Sequence, residues 1–433
     1  MSELTIITGK NKDAILVEQL RNSGLPIVLY GVGLIADTAA LYLSENGLQV
    51  TCRTLDDKYL NTAEAAQPAL QPALQPALQP TLQPALQPAL QPVAQSAPQQ
   101  VPEETAVIPI SRLQEELGTY NVLLCFFRGY REDISEFRAL FPGAHVVDYL
   151  SSIYDRGVLE SMDATYVTDH LKEFNRIYNL LEDKLSKDSM QAYLNAKINK
   201  DARYLFPYVR RPQYFSESGI VEDLTLHDNE VLVNCGAYTG DTLKDFLDVC
   251  NGRFRKIYAC EPDPVNLEKL RDFIRQAGIE DRTKVVDKCL GDKREAVRFL
   301  SQGTMLSRVE AAGTAAGAEA AGTGGDDGVA EAGAVLVQAE TLDHVLGGER
   351  ASAIVMDVEG NELKVLQGGQ QVIQRDEPLL ALAAYHKKED LVVLVDFLKA
   401  LVPDYRFYFR VHKPMAIDAV LYAGKRAGER VNG

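Results

Sequence analysis

The chain has 433 residues, of which 46% are hydrophobic and 24% are charged. This length exceeds one ordinary hydrophobic core, so at least two domains are expected, and the composition is that of a folded protein rather than a disordered one. Acidic residues outnumber basic ones, 61 to 45, and give a formal charge of −16. Such a charge repels a phosphate backbone and argues against nucleic acid as a substrate.

The N-terminus and the cysteines indicate the compartment. The segment MSELTIITGKNKD has no basic stretch followed by an apolar run, and the longest apolar runs of the chain are strand-sized. These features predict a cytoplasmic protein with no signal peptide and no membrane partner. The six cysteines form no C-x-x-C pair, so we expect reduced, buried thiols and no zinc site.

Residues 1–152 alternate strand-like and helix-like segments. The strand IVLY leads into GVGLIA and an amphipathic stretch, and LQVTCRTLDD is a further strand, which together make a βαβ unit. The alternation continues with AVIPI, YNVLLCFF, a helical REDISEFRAL and AHVVDYL. This pattern predicts a small, Rossmann-like, doubly wound α/β domain.

Two insertions interrupt this organisation. Residues 67–92 repeat Gln-Pro-Ala-Leu, and a proline at every fourth position favours extended, polyproline-like backbone. We expect a loop without a function of its own rather than a docking ligand, because alanine and leucine offer no charged anchor. Residues 311–328 are too rich in alanine and glycine to pack, which predicts a second surface loop.

The first strand–helix turn of the chain contains a dinucleotide-like fingerprint. Gly31, Gly33 and Ala36 have the G-x-G-x-x-A spacing, and Asp56 or Asp57 follows where a ribose-binding acid would lie. One alternative function is therefore an NAD(P)-linked sugar-nucleotide enzyme. We favour a vestigial or regulatory module, because the domain is short and no catalytic Tyr-x-x-x-Lys constellation accompanies the glycines.

A helical connector is predicted at residues 153–213, because apolar residues recur at helical spacing between 165 and 205. The remainder, residues 214–425, contains seven main strand-like runs and two shorter ones. The seven are EVLVNC, KIYACE, KVVDKCL, SAIVMDV, LLALAAY, YRFYFRV and AIDAVLYA, and the shorter ones are AVRFL and AVLVQA. This alternation again predicts an α/β sheet.

The run VLVNCGAYTGDT has the features of a ligand-binding turn. Asn234, Gly236 and Gly240 follow a buried strand, while Asp241 and Thr242 begin a helix. Glycines allow close backbone approach, and the helix N-terminus offers free N–H donors. The G-x-x-x-G spacing differs from that of pyrophosphate-binding turns, so a ligand carrying a carboxylate fits better.

An acidic residue ends the next strand, KIYACE. Glu261 lies 21 residues after Gly240, where a carboxylate can accept hydrogen bonds from the ribose hydroxyls of an adenosine. Asp263 could border the adenine. The alternative is a simple turn in which Asp263 caps a helix and Pro264 is its first residue.

Several long motifs, in order, resemble the FkbM-type S-adenosylmethionine-dependent methyltransferases of the class I, Rossmann-like fold. The similarity covers about residues 214–423 and includes QYF, VNCGAYTGDT, IYACEPDP, LGD, Ser307-Arg308, TLD at Thr341, IVMDVEGNELKVLQGG and AYHKKEDL.

The resemblance implies S-adenosylmethionine as the methyl donor and a seven-stranded sheet whose last strand is antiparallel. It also implies O-methylation of a small molecule or a glycan. The residues expected to line the methionine end of the cofactor are Gly236, Ala237, Tyr238 and Gly240, and Glu261 would hold the ribose. The family has aspartate where this chain has Asn234, so weaker cofactor binding, or a non-catalytic adenosylmethionine-binding protein, is an alternative.

Asp357 and His386 are the predicted catalytic residues, because each ends a strand of the sheet and those strands are neighbours in the family. We expect His386 to accept the proton of the acceptor hydroxyl, with Asp357 orienting the imidazole or the hydroxyl. Alternatively, Asp357 or Glu359 only caps the following helix, with Glu362 at the surface. A divalent metal bound by Asp357 and Glu359 is a third possibility, not favoured because no further fixed oxygen ligand is apparent.

Overall fold

The computed structural model describes residues 3–9, 11–60, 105–126, 134–151, 162–216, 219–300, 308–309, 334–413 and 418–426. Within them lie two main β-sheets, each with its own hydrophobic core, and a group of helices between them in sequence. The two predicted insertions, residues 67–92 and 311–328, fall outside the described residues.

The N-terminal sheet has five parallel strands in the order β3-β2-β1-β4-β5. The central strand β1 is fully buried, as its sequence IVLY predicts. The elements are α1 (Lys12–Ser23), β1 (Ile27–Tyr30), α2 (Leu34–Glu45), β2 (Cys52–Leu55), α3 (Asp57–Leu60), β3 (Val107–Pro109), α4 (Ile110–Leu117), β4 (Tyr120–Leu124), α5 (Ser135–Leu140) and β5 (Ala144–Asp148). This is the predicted doubly wound arrangement.

The predicted helical connector contains three α-helices. They are α6 (Ala164–Asp169), α7 (Leu171–Leu180) and α8 (Lys184–Asn199). Asp163 and Asp183 cap α6 and α8 by accepting hydrogen bonds from backbone N–H groups, at 2.8 Å from Tyr166 and 2.6 Å from Ser186. Asp163 lies at the beginning of the helical stretch, whereas Asp183 begins a new helix inside it, at a position that the apolar periodicity does not indicate.

The C-terminal sheet has seven strands in the order β10-β9-β8-β15-β16-β18-β17. Strand β18 is antiparallel to both of its neighbours, as the resemblance implies. The strands are β8 (Val231–Cys235), β9 (Lys256–Cys260), β10 (Thr283–Val286), β15 (Ala353–Met356), β16 (Leu379–Ala383), β17 (Arg406–Val411) and β18 (Ala419–Gly424). The helices are α9 (Asp241–Val249), α10 (Pro264–Gln276), α11 (Leu342–Leu346), α12 (Glu362–Gln367), α13 (Gln370–Asp376) and α14 (Asp390–Leu401).

Two small sheets accompany the main one. The first has the order β11-β14-β12-β13 and contains β11 (Cys289–Leu290), β12 (Glu295–Leu300), β13 (Arg308–Val309) and β14 (Ala334–Glu340). The second is a hairpin of β6 (Gly219–Val221) and β7 (Leu224–Thr225). The run KVVDKCL, predicted as one strand, is therefore divided between β10 in the main sheet and β11 in the small one.

All six cysteines lie in the described part of the chain. They are buried, unpaired thiols, as predicted. None of the helices in the described ranges is both long enough and apolar enough to cross a membrane.

Candidate active site

A cavity opens at the carboxyl ends of β8, β9 and β15, where parallel α/β sheets commonly bind ligands. Strands β8 and β15 are adjacent and parallel, and β9 lies on the other side of β8. The residues that line the cavity are Gln213, Tyr214, Gly236, Tyr238, Asp241, Thr242, Asp245, Cys260, Glu261, Pro262, Asn266, Lys288, Cys289, Leu290, Phe299, Val309, Asp357, Val358, Glu359, Asn361, Lys413 and Asp418.

The turn after β8 is held close to the neighbouring strands. The N–H groups of Gly236 and Ala237 donate to the carbonyl of Cys260 at 3.0 and 2.9 Å. Gly236 has φ 85°, and a Cβ on it would lie 1.9 Å from the carbonyl oxygen of Asp357. Gly236 is therefore required both by its backbone conformation and by the close approach of β15.

Glu261 is a buried carboxylate in the wall of the cavity. One of its oxygens accepts a hydrogen bond from the N–H of Tyr238 at 2.8 Å, and the other from the N–H of Asp263 at 2.9 Å. The side chain is 5% exposed, and burial raises its pKa to about 7 despite these two hydrogen bonds. No lysine or arginine in the described part of the chain forms an ion pair with it.

The predicted cofactor residues separate into two groups. Gly236, Tyr238, Asp241, Thr242 and Glu261 line the cavity. The rest support it from behind and do not appear in its wall, namely Asn234, Ala237, Gly240 and Asp263.

Two of the supporting residues have clear structural roles. Asp263 caps α10 by accepting hydrogen bonds from the N–H groups of Val265 and Asn266, with Pro264 as the first helical residue. This is the helix-capping alternative stated above. Gly240 has φ 96°, and a Cβ on it would lie 2.5 Å from the ring of Phe273. Close packing of α9 against α10 therefore requires glycine here.

Asn234 is buried at the end of β8, with 1% exposure. Its Nδ2 atom has no hydrogen-bond partner among the described residues. A buried donor without a partner is rare in folded proteins, but Asn234 is not part of the cavity wall, so the structure shows no path from this amide to a ligand. Where the family has a carboxylate, this chain thus presents a neutral group.

Asp357 lies at the end of β15 between two tyrosines. Its Oδ2 atom accepts hydrogen bonds from the hydroxyls of Tyr214 at 2.6 Å and Tyr385 at 3.2 Å, whereas its Oδ1 atom has no hydrogen-bond partner among the described residues. Burial, assisted by the nearby Glu359, raises the pKa of Asp357, although His386 and the Tyr214 hydrogen bond oppose this.

His386 lies beside Asp357, as the adjacency of β15 and β16 predicts. Its Nε2 atom is 3.5 Å from Oδ1 of Asp357 and 3.4 Å from Oε2 of Glu359, and its Nδ1 atom is 3.1 Å from Oε1 of Glu362. Burial disfavours the charged imidazole, but Glu362 and Glu359 outweigh it and raise the pKa of His386 well above the ordinary value.

This environment disagrees with one part of the predicted mechanism. His386 is 5% exposed, is absent from the cavity wall, and faces three carboxylates that favour its protonated form. A protonated, enclosed imidazole is poorly suited to accept a proton from a substrate hydroxyl. Asp357, the other predicted catalytic residue, lines the cavity.

Several residues in or near the cavity wall have positions that the sequence did not predict. Tyr214 belongs to the QYF motif, which was noted without a role for the phenol. Lys413 and Asp418 form an ion pair in the wall of the cavity. Lys413 follows β17, and Asp418 directly precedes β18. Glu362, expected at the surface in the capping alternative, is 1% exposed and directed at His386. Spacing gives no signal for such contacts between distant segments.

The glycine turn of the N-terminal domain has structural explanations of its own. A Cβ on Gly31 would lie 2.8 Å from the carbonyl oxygen of Cys125, so β4 passes too close for a side chain. Gly33 has φ 82° and is the N-cap of α2. Asp57 accepts a hydrogen bond from the N–H of Ser111 at 3.2 Å, which ties it to α4.

Comparison with known proteins agrees with the fold. Residues 234–409 match the model of the methyltransferase FkbM domain. A crystal structure of methyltransferase FkbM from Methylobacillus flagellatus KT is similar over 96% of this chain and 94% of that one, at 18% identity and a TM-score of 0.63. No curated protein sequence matches the chain.

Two further solved structures align with about half of the chain. One is an rRNA methylase from Streptococcus thermophilus, with 14% identity, a TM-score of 0.29 and coverage of 46% of this chain and 89% of that one. The other is precorrin-6y C5,15-methyltransferase from Geobacter metallireducens GS-15, with 13% identity, a TM-score of 0.27 and coverage of 46% and 82%. The matched residues 234–409 include β9 and β15 and begin within β8, the three strands at whose carboxyl ends the cavity lies.

Proposed function

We propose that the protein transfers a methyl group from S-adenosylmethionine to a hydroxyl group of a small molecule or glycan. The observation that carries the proposal is Glu261, a buried carboxylate that faces the cavity without an ion-pair partner and is oriented by two backbone N–H groups. A carboxylate in this position accepts hydrogen bonds from both hydroxyls of a ribose.

The residues around the cavity fit the remainder of this cofactor. The turn at Gly236 and Tyr238 lies beside Glu261 and leaves backbone exposed to the cavity, where the methionine end would bind. When bound, S-adenosylmethionine supplies an electrophilic methyl group on a positively charged sulfur. The acidic residues of the wall, including Asp241 and Asp357, favour a cationic ligand.

Asp357 is the residue that we place beside the acceptor. It borders the cavity next to the Gly236 turn, and its Oδ1 atom has no hydrogen-bond partner among the described residues. Tyr214 and Tyr385 hold the carboxylate in place through Oδ2. Positioning of an acceptor oxygen against the methyl group accounts for much of the rate of such a reaction.

Calorimetric titration with S-adenosylmethionine tests the proposal. We expect the wild-type chain to bind it and Glu261→Gln to bind it roughly 10- to 150-fold more weakly, since charge-assisted hydrogen bonds contribute about 1.5 to 3 kcal/mol. The exposed Glu268 on α10 provides the matched control, and Glu268→Gln should bind like wild type.

A parallel titration with NAD separates this function from the nucleotide-linked alternative. Binding of NAD without binding of S-adenosylmethionine would contradict the proposal. Binding of S-adenosylmethionine without methylation of any hydroxyl acceptor, as judged by product mass, would support the non-catalytic alternative instead.

A further inference from the structure

The side chains of Asp357, Glu359 and His386 form a second feature at the cavity wall. The Nε2 atom of His386 points between one oxygen of each carboxylate, at 3.5 and 3.4 Å. These distances are too long for good hydrogen bonds, and neither Nε2 nor Oδ1 of Asp357 has a hydrogen-bond partner among the described residues. Buried polar atoms seldom remain without partners, so this arrangement indicates an additional group between them.

The distances from Nε2 of His386 to Oδ1 of Asp357 and Oε2 of Glu359 fit three ligands of one metal ion. Ligands bound at about 2.0 to 2.2 Å, with angles between about 90° and 110°, lie about 3.0 to 3.5 Å apart. Two of the distances meet this condition, and all three atoms lie within 4.8 Å of one another.

The other ring nitrogen of His386 faces a carboxylate, as in known metal sites, although this contact is an ion pair without hydrogen-bond geometry. Nδ1 of His386 faces Oε1 of Glu362 at 3.1 Å, and Glu362 is itself held by the N–H of Val358 at 3.1 Å. A histidine that binds a metal usually donates its second ring N–H to a carboxylate, which orients the ring and directs the other nitrogen toward the ion. Glu362 has the position and the 1% exposure of such a partner.

The charge of the cluster also favours a cation. Within the described residues, Asp357, Glu359 and Glu362 form ion pairs with His386 but with no lysine or arginine. Three carboxylates around one imidazole leave an excess of negative charge in a buried place, which is costly unless a cation neutralises it.

We propose that Asp357, Glu359 and His386 bind one divalent first-row metal ion, such as Mn²⁺, at the wall of the cavity. Two carboxylate oxygens and one imidazole nitrogen suit this class of ion. Asp357 and Glu359 line the cavity while His386 lies behind them, so the remaining coordination positions face the space where the acceptor would bind.

The role of the ion rests on the proposed function. It would bind the acceptor oxygen and lower the pKa of the acceptor hydroxyl, whose proton would pass to water. His386 would then be a metal ligand rather than the proton acceptor.

Titration of metal-free protein with Mn²⁺, followed by electron paramagnetic resonance of the free ion, tests the site. We expect one bound ion in the wild type and at least tenfold weaker binding in Glu359→Gln and His386→Ala. The exposed His344 of α11 gives the control, and His344→Ala should bind Mn²⁺ like wild type. Normal binding in folded Glu359→Gln and His386→Ala would overturn the proposal.

One more variant distinguishes the proposed metal site from a second group of possible metal ligands beside it. Glu362, His386 and Asp390 also bring three ligand atoms together, but all three residues are buried and none lines the cavity. Asp390→Asn should leave Mn²⁺ affinity within about threefold of wild type, given a site on the Nε2 side of His386. Loss of binding in Asp390→Asn with retention in Glu359→Gln would place the ion at the other arrangement and contradict the proposal.

Titration of the same metal-free protein with S-adenosylmethionine separates the two proposals. If the cofactor binds and Mn²⁺ does not, the metal site is wrong and the methyltransferase function stands. If Mn²⁺ binds and the cofactor does not, the metal site stands and the function is wrong.

Discussion

At the scale of single residues, the site depends on a carboxylate kept in an unfavourable environment. Burial raises the pKa of Glu261 to about 7, whereas a ribose requires the ionised form as hydrogen-bond acceptor. The backbone N–H groups of Tyr238 and Asp263 already fix the direction of its two oxygens. Ligand hydroxyls would add hydrogen bonds to the charged form, so cofactor binding and ionisation of Glu261 should favour each other.

This coupling predicts a pH dependence of cofactor affinity. Below pH 7, Glu261 becomes protonated and must lose its proton on binding, so affinity should fall by up to tenfold per pH unit between pH 7 and pH 5. Above pH 7, where Glu261 is already ionised, the affinity should no longer change with pH through this group. Calorimetry across the range, with Glu261→Gln as a control for ionisation of the ligand itself, would reveal it; an identical slope in the variant would assign the effect to another group.

Gly236 allows a second prediction at this scale. In Gly236→Ala, the new Cβ would meet the Asp357 carbonyl, so we expect a lower free energy of unfolding, by at least about 2 kcal/mol, and loss of cofactor binding. Gly252 also has positive φ, at 69°, but a Cβ there meets nothing within 4 Å. Urea unfolding of Gly252→Ala should therefore show only the backbone strain, about 1 to 2 kcal/mol. Equal losses in the two variants would argue against the steric explanation.

At the scale of elements, the connector helices are attached to the edge of the C-terminal sheet. Arg410 on β17 is 4% exposed and donates to Asp183 at 2.6 Å and to Ser186 at 2.6 Å, both at the start of α8. The hydroxyl of Ser186 in turn accepts from the N–H of Phe409 at 2.9 Å. A buried charged group thus joins the start of α8 to β17, beside the apolar packing of Tyr193 on Phe409.

Removal of this guanidinium should be costly. Arg410→Ala removes the charged partner of Asp183 and one hydrogen bond of Ser186, and we expect the free energy of unfolding to fall by about 2 to 4 kcal/mol in urea titrations. Arg406 on the same strand pairs with Glu182 at the surface, so Arg406→Ala should cost no more than about 1 kcal/mol. Comparable effects of the two substitutions would show that the junction does not depend on Arg410.

The sequence predicts the elements better than the contacts between them. The short apolar runs IVLY and VLVNC predict buried strands, because a strand that is buried on both faces is apolar at nearly every position. The adjacency of Asp357 and His386 follows from the family strand order. The inward direction of Glu362 cannot be predicted in this way, because it depends on a turn through Glu359 and Gly360. Both residues have positive φ angles, which sequence periodicity does not indicate.

At the scale of the molecule, the first residues of the chain link the two halves. The N–H of Leu4 donates to Asn175 on α7 at 2.8 Å, and that of Ile7 donates to Asn195 on α8 at 2.7 Å. Helix α1, which follows directly, contributes Leu16 and Leu20 to the N-terminal core. The connector helices therefore contact the N-terminal segment as well as the C-terminal sheet.

The two insertions, outside the described residues, remain predicted loops. We expect deletion of residues 67–92 or of 311–328 to leave the melting temperature within a few degrees of wild type, because loop-closure entropy changes slowly with length. Differential scanning calorimetry of each variant is the measurement. Insoluble protein, or a much lower melting temperature, would show that the deleted segment packs against the folded chain.

The central claim is that the cavity beside Gly236 and Glu261 holds S-adenosylmethionine, and a crystal structure with S-adenosylhomocysteine tests it most directly. The account predicts the ribose hydroxyls within hydrogen-bond distance of the Glu261 carboxylate and the amino-acid end beside Gly236 and Tyr238. Ligand density at the Gly31 turn of the N-terminal domain, or a ribose with no contact to Glu261, would contradict it.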